Sequence, residues 1–253
     1  VEAQLLATVD AVVVLTQRAK SFLETWYEQS AVDPPPLRVI PCCVDTQRFR
    51  RDEVTGNRIR ERLGFTGPVM VYSGSLGSWY MAEEMAMAYE VLRRRSPSLC
   101  FMVLTQSPIE WIRRPLMRRG VLDEQVEITR CPHDEVPVYL SAADIGISFI
   151  RPAPSKVASS PTKIAEYLAC GLPVVINGGV GDLDDLAAGS PHVHRIPRVT
   201  EQALVDWAST IEFQVIGSQE VRAACRELAQ ERFHLQDVGV SRYHELYQFL
   251  REP

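Results

Sequence analysis

The segment SSPTKIAEYLACGLPVV, residues 159–175, gathers the residue types from which a charge-handling site is made. Ser160 is suited to cap a helix, and Pro161 fits a first helical position because the N–H it lacks would have no intrahelical acceptor. Gly171 followed by Pro173 supplies the stop. Lys163 therefore falls in the first turn, where free amides and the helix dipole oppose a cation by about 0.3–1 kcal/mol. A bound phosphate would reverse that mismatch, since the backbone amides of Ser160, Thr162, Lys163 and Ile164 and the lysine ammonium would then face one anion. An ion pair from Lys163 to Glu166, worth about 0.2–0.5 kcal/mol, accounts for the lysine as well, and at this level both explanations stay open.

Glu166 lies one turn beyond Lys163 on the same helical face. A carboxylate there is able to accept two hydrogen bonds from a vicinal diol such as a ribose; the alternative is a plain surface glutamate. Lysine is scarce in the chain: only Lys20, Lys156 and Lys163 stand among 27 basic residues, and two of the three fall within RPAPSKVASSPTK. A compact ammonium differs chemically from a guanidinium fork, so a local need for lysine is one explanation and chance is the other. The connection from Arg151 to Lys163 is long for a strand-to-helix loop, and is expected to be a lid over the site or a solvated connector, the lid being favoured because it delivers Lys163.

A second loop, YSGSLGSWY, runs from an apolar strand toward a helix through Gly74, Ser75, Leu76 and Gly77, where backbone amides are free to approach a phosphate. A tight turn explains its glycines about as well. In RCPHDEVP, Asp134 is expected to cap a helix and His133 to be a loop residue, and in NGGVGDLDD either Asp182 or Asp184 is expected to cap the next helix. The five histidines are scattered and the six cysteines lack paired CxxC spacing, which excludes a zinc motif or a disulfide framework from the expectations; no metal and no cofactor is anticipated, and the thiols read as reduced and cytosolic.

The elements that must hold these loops alternate. Apolar strands are expected near 11–16, 37–45, 69–74, 99–105, 126–129, 145–150, 172–177 and 193–196, with helices near 17–29, 79–95, 108–119, 134–142, 161–170 and 182–188. From Thr200 to Leu250 only helices are expected, with breaks near Gly217 and His234. Such alternation gives an α/β fold, a doubly wound, mainly parallel sheet followed by C-terminal helices, with ligands held outside the carboxyl ends of the strands.

The chain has 253 residues, 46% hydrophobic and 23% charged, with a net charge of −5. It has no basic stripe, so nucleic acid is not an expected partner, and no apolar run of the length needed to span a bilayer. The opening VEAQLLATVD has neither an initiator methionine nor a secretory pattern, and the expectation is that the sequence starts partway through a longer protein.

AVVVLTQRAKSFL, VIPCCVDTQRF, VMVYSGSLGSWYMAEEM, VPVYLSAADIGISF and SPTKIAEYLACGLPVV, in this order, resemble the nucleotide-sugar-binding half of retaining glycosyltransferases of the GT-B architecture, family 4 (glycosyl transferases group 1). The resemblance covers nearly the whole chain from about residue 10. It implies that residues 1–60 are a remnant of an acceptor domain with the interdomain linker and residues 61–253 the donor-binding domain. It also implies that Lys163 and the helix-start amides hold the donor diphosphate, with the Gly74–Gly77 loop facing the same phosphates and Glu166 on the ribose. The backbone around Arg130, Cys131 and Val136 would flank the base. Lys163 and Glu166 would be the catalytic residues. The expected partners are a nucleoside-diphosphate sugar as donor and a glycan or lipid-linked acceptor held mainly by an N-terminal domain. The expected setting is the cytoplasm, with at most peripheral membrane contact. Ala158 and Ser75 stand where the family has a glutamate and an arginine, and the family's lysine a few positions beyond Ser75 is absent, so phosphate binding would lean on Lys163 and backbone amides, with Arg151 or Lys156 as further candidates. These departures keep two alternatives in view: a sugar-nucleotide binding module without turnover, and a GT-B epimerase.

Overall fold

The computed structural model describes residues 5–30 and 32–251, so the first four residues of the expected N-terminal remnant, Ala31 and the last two residues of the expected donor domain lie outside the described residues. Strand β1 (Val12–Val14), helix α1 (Gln17–Ser30) and strand β2 (Leu37–Val39) form a small two-stranded parallel sheet. Helix α2 (Glu53–Leu63) leads into the main sheet. Its strands are β3 (Val69–Ser73), β4 (Cys100–Leu104), β5 (Val126–Thr129), β6 (Ile145–Ser148), β7 (Val174–Asn177) and β8 (Val193–Ile196). The intervening helices are α3 (Ala82–Arg95), α4 (Glu110–Arg118), α5 (Val136–Leu140), α6 (Thr162–Ala169) and α7 (Leu183–Ala188). After β8 come α8 (Glu201–Ser209), α9 (Phe213–Ile216), α10 (Gln219–Phe233), a π-helical turn (Leu235–Val240) and α11 (Ser241–Phe249).

All six strands of the main sheet are parallel, in the order β5-β4-β3-β6-β7-β8. This is the doubly wound dinucleotide-binding order, with the winding reversing between β3 and β6. Strands β3, β4, β6 and β7 are buried throughout, the mark of a sheet covered on both faces, whereas the edge strands β5 and β8 are only partly so. Along β3, Val69 and Val71 enter one core with Leu140, Ile164, Leu168 and Cys225, while Met70 and Tyr72 enter the other with Tyr89, Leu116 and Trp207. The period of two thus splits a single apolar run between two cores.

Helix α2 is absent from the sequence expectations. Its signal is local: Asp52 accepts hydrogen bonds from the amides of Val54 and Thr55, and Gly64 closes the other end. Two expected caps are corrected. Asp134 caps nothing, because the two prolines of PHDEVP confine residues 132–135 to a turn, and α5 starts only at Val136 with Glu135 at its cap position. Asp182 precedes α7 but turns away from it, accepting from Gln17 N at 2.6 Å and Arg18 N at 3.2 Å. It therefore caps α1 together with Thr16, which accepts from Ala19 N. Asp184 receives Gly179 N and the Arg195 guanidinium, so it too is no cap of α7.

One buried carboxylate organises the turn before β6. Asp144 accepts from Val69 N at 2.9 Å and from Arg60 and Arg222 at 2.5 and 2.7 Å, joining β3, α2 and α10. Removing a single partner from such a group leaves buried charge uncompensated. Asp144→Ala is expected to cost about 3–5 kcal/mol of unfolding free energy, measured by urea titration; a loss under about 1 kcal/mol, the level of an exposed pair, would show that the cluster does not act as a unit.

Candidate functional site

At the reversal between β3 and β6, β3 outruns the ladder it shares with β6, whose paired residues end at Val71 and Gly146. Ser73 N, left without a strand partner, donates to the hydroxyl of Tyr167 on α6 at 2.6 Å. Tyr167 reaches that point because its ring packs where a side chain at residue 146 would stand. The loops leaving the two strands are then stitched together. Arg151 N donates to Trp79 O, Met81 N donates to Phe149 O, and Asn177 at the end of β7 clamps Ile150 through both N–H and C=O.

Lys163 sits beneath this stitching. Residue 163 is 7% exposed; its ammonium donates to the Tyr72 hydroxyl at 3.0 Å and lies 4.2 and 4.1 Å from the ring centres of Tyr72 and Tyr80. Two desolvated ring faces are each worth up to about 2 kcal/mol to a cation. They supply no lone pairs, however, so one of the three ammonium hydrogens has a conventional acceptor among the described residues. Burial pushes the Lys163 pKa down to about 7, opposed in part by the charge of Glu166. The Tyr72 hydroxyl passes the constraint on by donating to Ser75 O, and burial raises its own pKa. Gly74 lies directly over the ammonium: a Cβ at that position would stand 2.9 Å from Nζ, and the residue's φ of 122° disfavours any side chain as well.

The expected phosphate cradle is narrower than the sequence suggests. Helix α6 begins one residue later than expected, with Pro161 at the cap position and Thr162 first in the helix. Ser160 is consequently no cap; its hydroxyl accepts Cys42 N at 3.2 Å, across from the small sheet. Three of the expected amides already donate within the protein: Gly74 N to Leu104 O, Leu76 N to the Ser107 hydroxyl and Ile164 N to Pro161 O. Those of Ser75, Gly77, Thr162 and Lys163 have no hydrogen-bond acceptor among the described residues. Gly74, Ser75 and Thr162 are exposed, so the loop presents backbone to solvent with the ammonium behind it.

Glu166 makes no ion pair with Lys163. Only 9% exposed, it is not the surface glutamate of the bland alternative: Oε1 meets His133 Nε2 at 3.0 Å. Arg48 Nη2 lies 3.1 Å from His133 Nδ1 and also donates to His133 O. A guanidinium only donates, so Nδ1 is the acceptor and the proton toward Glu166 sits on Nε2. This contact brings the expected base-flanking stretch beside the carboxylate. Within it Arg130 is exposed, whereas the side chains of Cys131 and Val136 point into the core and Cys131 O is taken by Gln106. Sequence reasoning missed His133, Tyr72, Tyr80 and Tyr167; Tyr167 follows Glu166 directly, but nothing local tells that its hydroxyl reaches β3.

The expected lid is anchored. Its middle forms a 3₁₀ turn, Pro154–Ala158, in which Val157 O accepts from Thr16 and Lys156 O from Gly181 N. Gly181 packs so closely that a Cβ there would lie 2.0 Å from Ser159 O. Lys156 rests over the Trp79 ring at 4.2 Å, Arg151 is exposed, and Ala158 ends the turn. Among the described residues, no group of three or more His, Cys, Asp or Glu is placed to hold a metal ion, and no helix is long and apolar enough to cross a membrane.

A parallel sheet of this order, covered by helices on both faces, is that of a Rossmann-like domain. No protein-family model matches the chain. Over 173 residues it is 28% identical to the GDP-mannose-dependent alpha-(1-6)-phosphatidylinositol monomannoside mannosyltransferase of Mycolicibacterium smegmatis (strain ATCC 700084 / mc(2)155), a match covering 66% of this chain and 44% of that protein. Over 197 residues it is 29% identical to TuaC of Bacillus subtilis (strain 168), named as a teichuronic acid biosynthesis glycosyltransferase, covering 77% and 46%. Its fold matches that of Anabaena Alr3699/HepE, solved in complex with UDP and glucose, with a TM-score of 0.71, 16% identity, and coverage of 97% of this chain and 64% of that one. The resemblance to GT-B glycosyltransferases holds in sequence and in fold. The chain spans less than half the length of these two curated relatives.

The depressed Lys163 pKa carries a sign. Between pH 7 and 10.5 the unfolded chain holds a proton at this residue that the folded chain has lost, so this group's contribution to stability rises with pH across that window. Lys163→Met is expected to stabilise the protein most below pH 7 and progressively less toward pH 10.5, in denaturant titrations at several pH values. A pH-independent difference between the two proteins would refute the buried, shifted ammonium.

Proposed function

We propose that this chain is the donor-binding part of a retaining glycosyltransferase that moves a sugar from a nucleoside diphosphate to a glycan or lipid-linked acceptor. On this reading residues 1–60 belong to the remnant of an acceptor domain and the linker, and residues 61–253 to the donor domain. The observation that carries the reading is the Lys163 ammonium, held with a single hydroxyl partner behind the exposed backbone of Gly74, Ser75 and Thr162.

The diphosphate docks on the unpaired amides of Ser75, Gly77, Thr162 and Lys163. As its anionic oxygens approach through the gap left by Gly74, they supply the charge partner the ammonium lacks and raise its pKa from about 7. Bond cleavage at the anomeric carbon moves further negative charge onto the leaving diphosphate. A fixed cation in a water-poor site stabilises that change more than it stabilises the ground state. Glu166, oriented by His133 and Arg48, accepts hydrogen bonds from the ribose hydroxyls. Ala158 offers no carboxylate to the sugar where the family has one, the observation that favours a second reading: a sugar-nucleotide binding module without turnover.

Calorimetric titration with UDP-, GDP-, ADP- and TDP-sugars tests the reading; the two relatives named for or solved with nucleotides cover GDP and UDP. Binding of at least one donor is expected, weakened about tenfold or more by Lys163→Ala and less by Glu166→Gln, because charge-assisted contacts to phosphate exceed those to neutral hydroxyls. Above pH 7, titrations in buffers of different ionisation enthalpy are expected to show proton uptake on binding that disappears in Lys163→Ala. No binding of any donor, or equal affinity of wild type and Lys163→Ala, would defeat the assignment.

A further inference from the structure

Away from the Lys163 edge, two adjoining cavities of about 430 and 470 Å³ share Arg50, Arg51 and Glu53 in their walls. Arg222 and Arg226 from α10 complete the first, beside the end of α6, and Arg48 contributes to the second. The charges here do not balance. Asp144 is already shared by Arg60 and Arg222. Arg51 reaches the same turn, donates Nη1 to Ala143 O at 2.8 Å, and forms no ion pair among the described residues; its Nε is buried without a hydrogen-bond partner there. Burial and the neighbouring Arg222 charge bring the Arg51 pKa down to about 10, opposed in part by the charges of Asp144 and Glu53.

The other candidate counter-charges are committed or exposed. Arg226 adds a further cation: it spends its donors on the carbonyls of Ala169 and Thr46 and forms no ion pair among the described residues. Asp52, in the second cavity, is engaged with Val54, Thr55 and the Thr55 hydroxyl. Glu53, the remaining acid in either wall, is exposed and forms no ion pair among the described residues. With Nη1 occupied and Nε buried, Arg51 keeps Nη2, which has no hydrogen-bond partner among the described residues, to donate to an oxyanion.

We propose that this arginine-walled recess is a second anion site, independent of the sugar-nucleotide reading, that binds a phosphate group through Nη2 of Arg51 with Arg50 and Arg226 supplying charge. The shared chemistry is a phosphate ester, borne by a soluble metabolite or by the headgroup of an anionic lipid. The recess lies where α2, α6 and α10 meet, so an occupant would brace the turn holding Asp144 rather than touch the donor cradle.

Inorganic phosphate against chloride at matched ionic strength is the probe, read by calorimetry on wild type, Lys163→Ala, Arg51→Gln and Arg50→Gln. Phosphate is expected to bind Lys163→Ala, which lacks the other candidate anion site, and to bind Arg51→Gln about tenfold or more weakly in that background. Arg50 is exposed, so Arg50→Gln decides the matter if Arg51→Gln does not fold. Sedimentation with phosphatidylglycerol but not phosphatidylcholine vesicles, competed by phosphate and lost in the arginine variants, would assign the lipid source; phosphate binding without sedimentation would assign the soluble one. Absence of phosphate binding to Lys163→Ala, or binding undiminished by both arginine substitutions, would overturn the site.

Discussion

An ammonium cut off from water, cradled by two aromatic faces and a single phenol, is the constraint on which the carboxyl edge of the main sheet depends. Taking such a group out of solvent costs several kcal/mol, and the ring faces return only part of it. The contacts that hold it also place the loop above it. The Tyr72 hydroxyl accepts from Lys163 and donates to Ser75 O, so the glycine loop and α6 share one hydrogen-bonded bridge. Only the bare backbone of Gly74 fits over that ammonium, since a Cβ there would stand 2.9 Å from Nζ.

The same arrangement gives physical content to the departures from the family pattern. Ser75 stands where the resemblance calls for an arginine, yet a cation still arrives at the glycine loop, carried from α6 through the core side rather than by the loop itself. Delivered from inside, it is less hydrated than a loop arginine and its charge state depends on its surroundings. Glu166 is handled the opposite way. It is held from outside by a histidine on the neighbouring turn, whose proton position Arg48 fixes.

The sheet was legible because its strands are short apolar runs separated by helices with clear stops, and every expected strand of the main sheet is present within two residues at either end. Lys163 stood out by being out of place for an ordinary helix start, and Glu166 by following it one turn on along the same face. What could not be read were contacts made across sequence distance. Asp182 looks like the cap of the helix it precedes but serves a helix some 165 residues away, and Ser160 looks like a cap but holds Cys42. Likewise the two tyrosines that enclose Lys163 come from β3 and from the loop beyond it, far in sequence from α6, and no periodicity in one segment reports on another. Helix α2 was missed for a different reason: Gly56 and its many charged residues mask the pattern, and only its two ends mark it.

Asp182 also links the small sheet to the large one. Its carboxylate closes the amino end of α1, while Thr16, just beyond β1, and Cys42, just beyond β2, bind Val157 and Ser160 in the loop that feeds α6. Any swing of the small sheet would have to uncap that helix and tug the very strand of chain that seats Lys163. The placement of the small sheet and the depth of the cation are thus mechanically geared, so that moving one would be felt at the other.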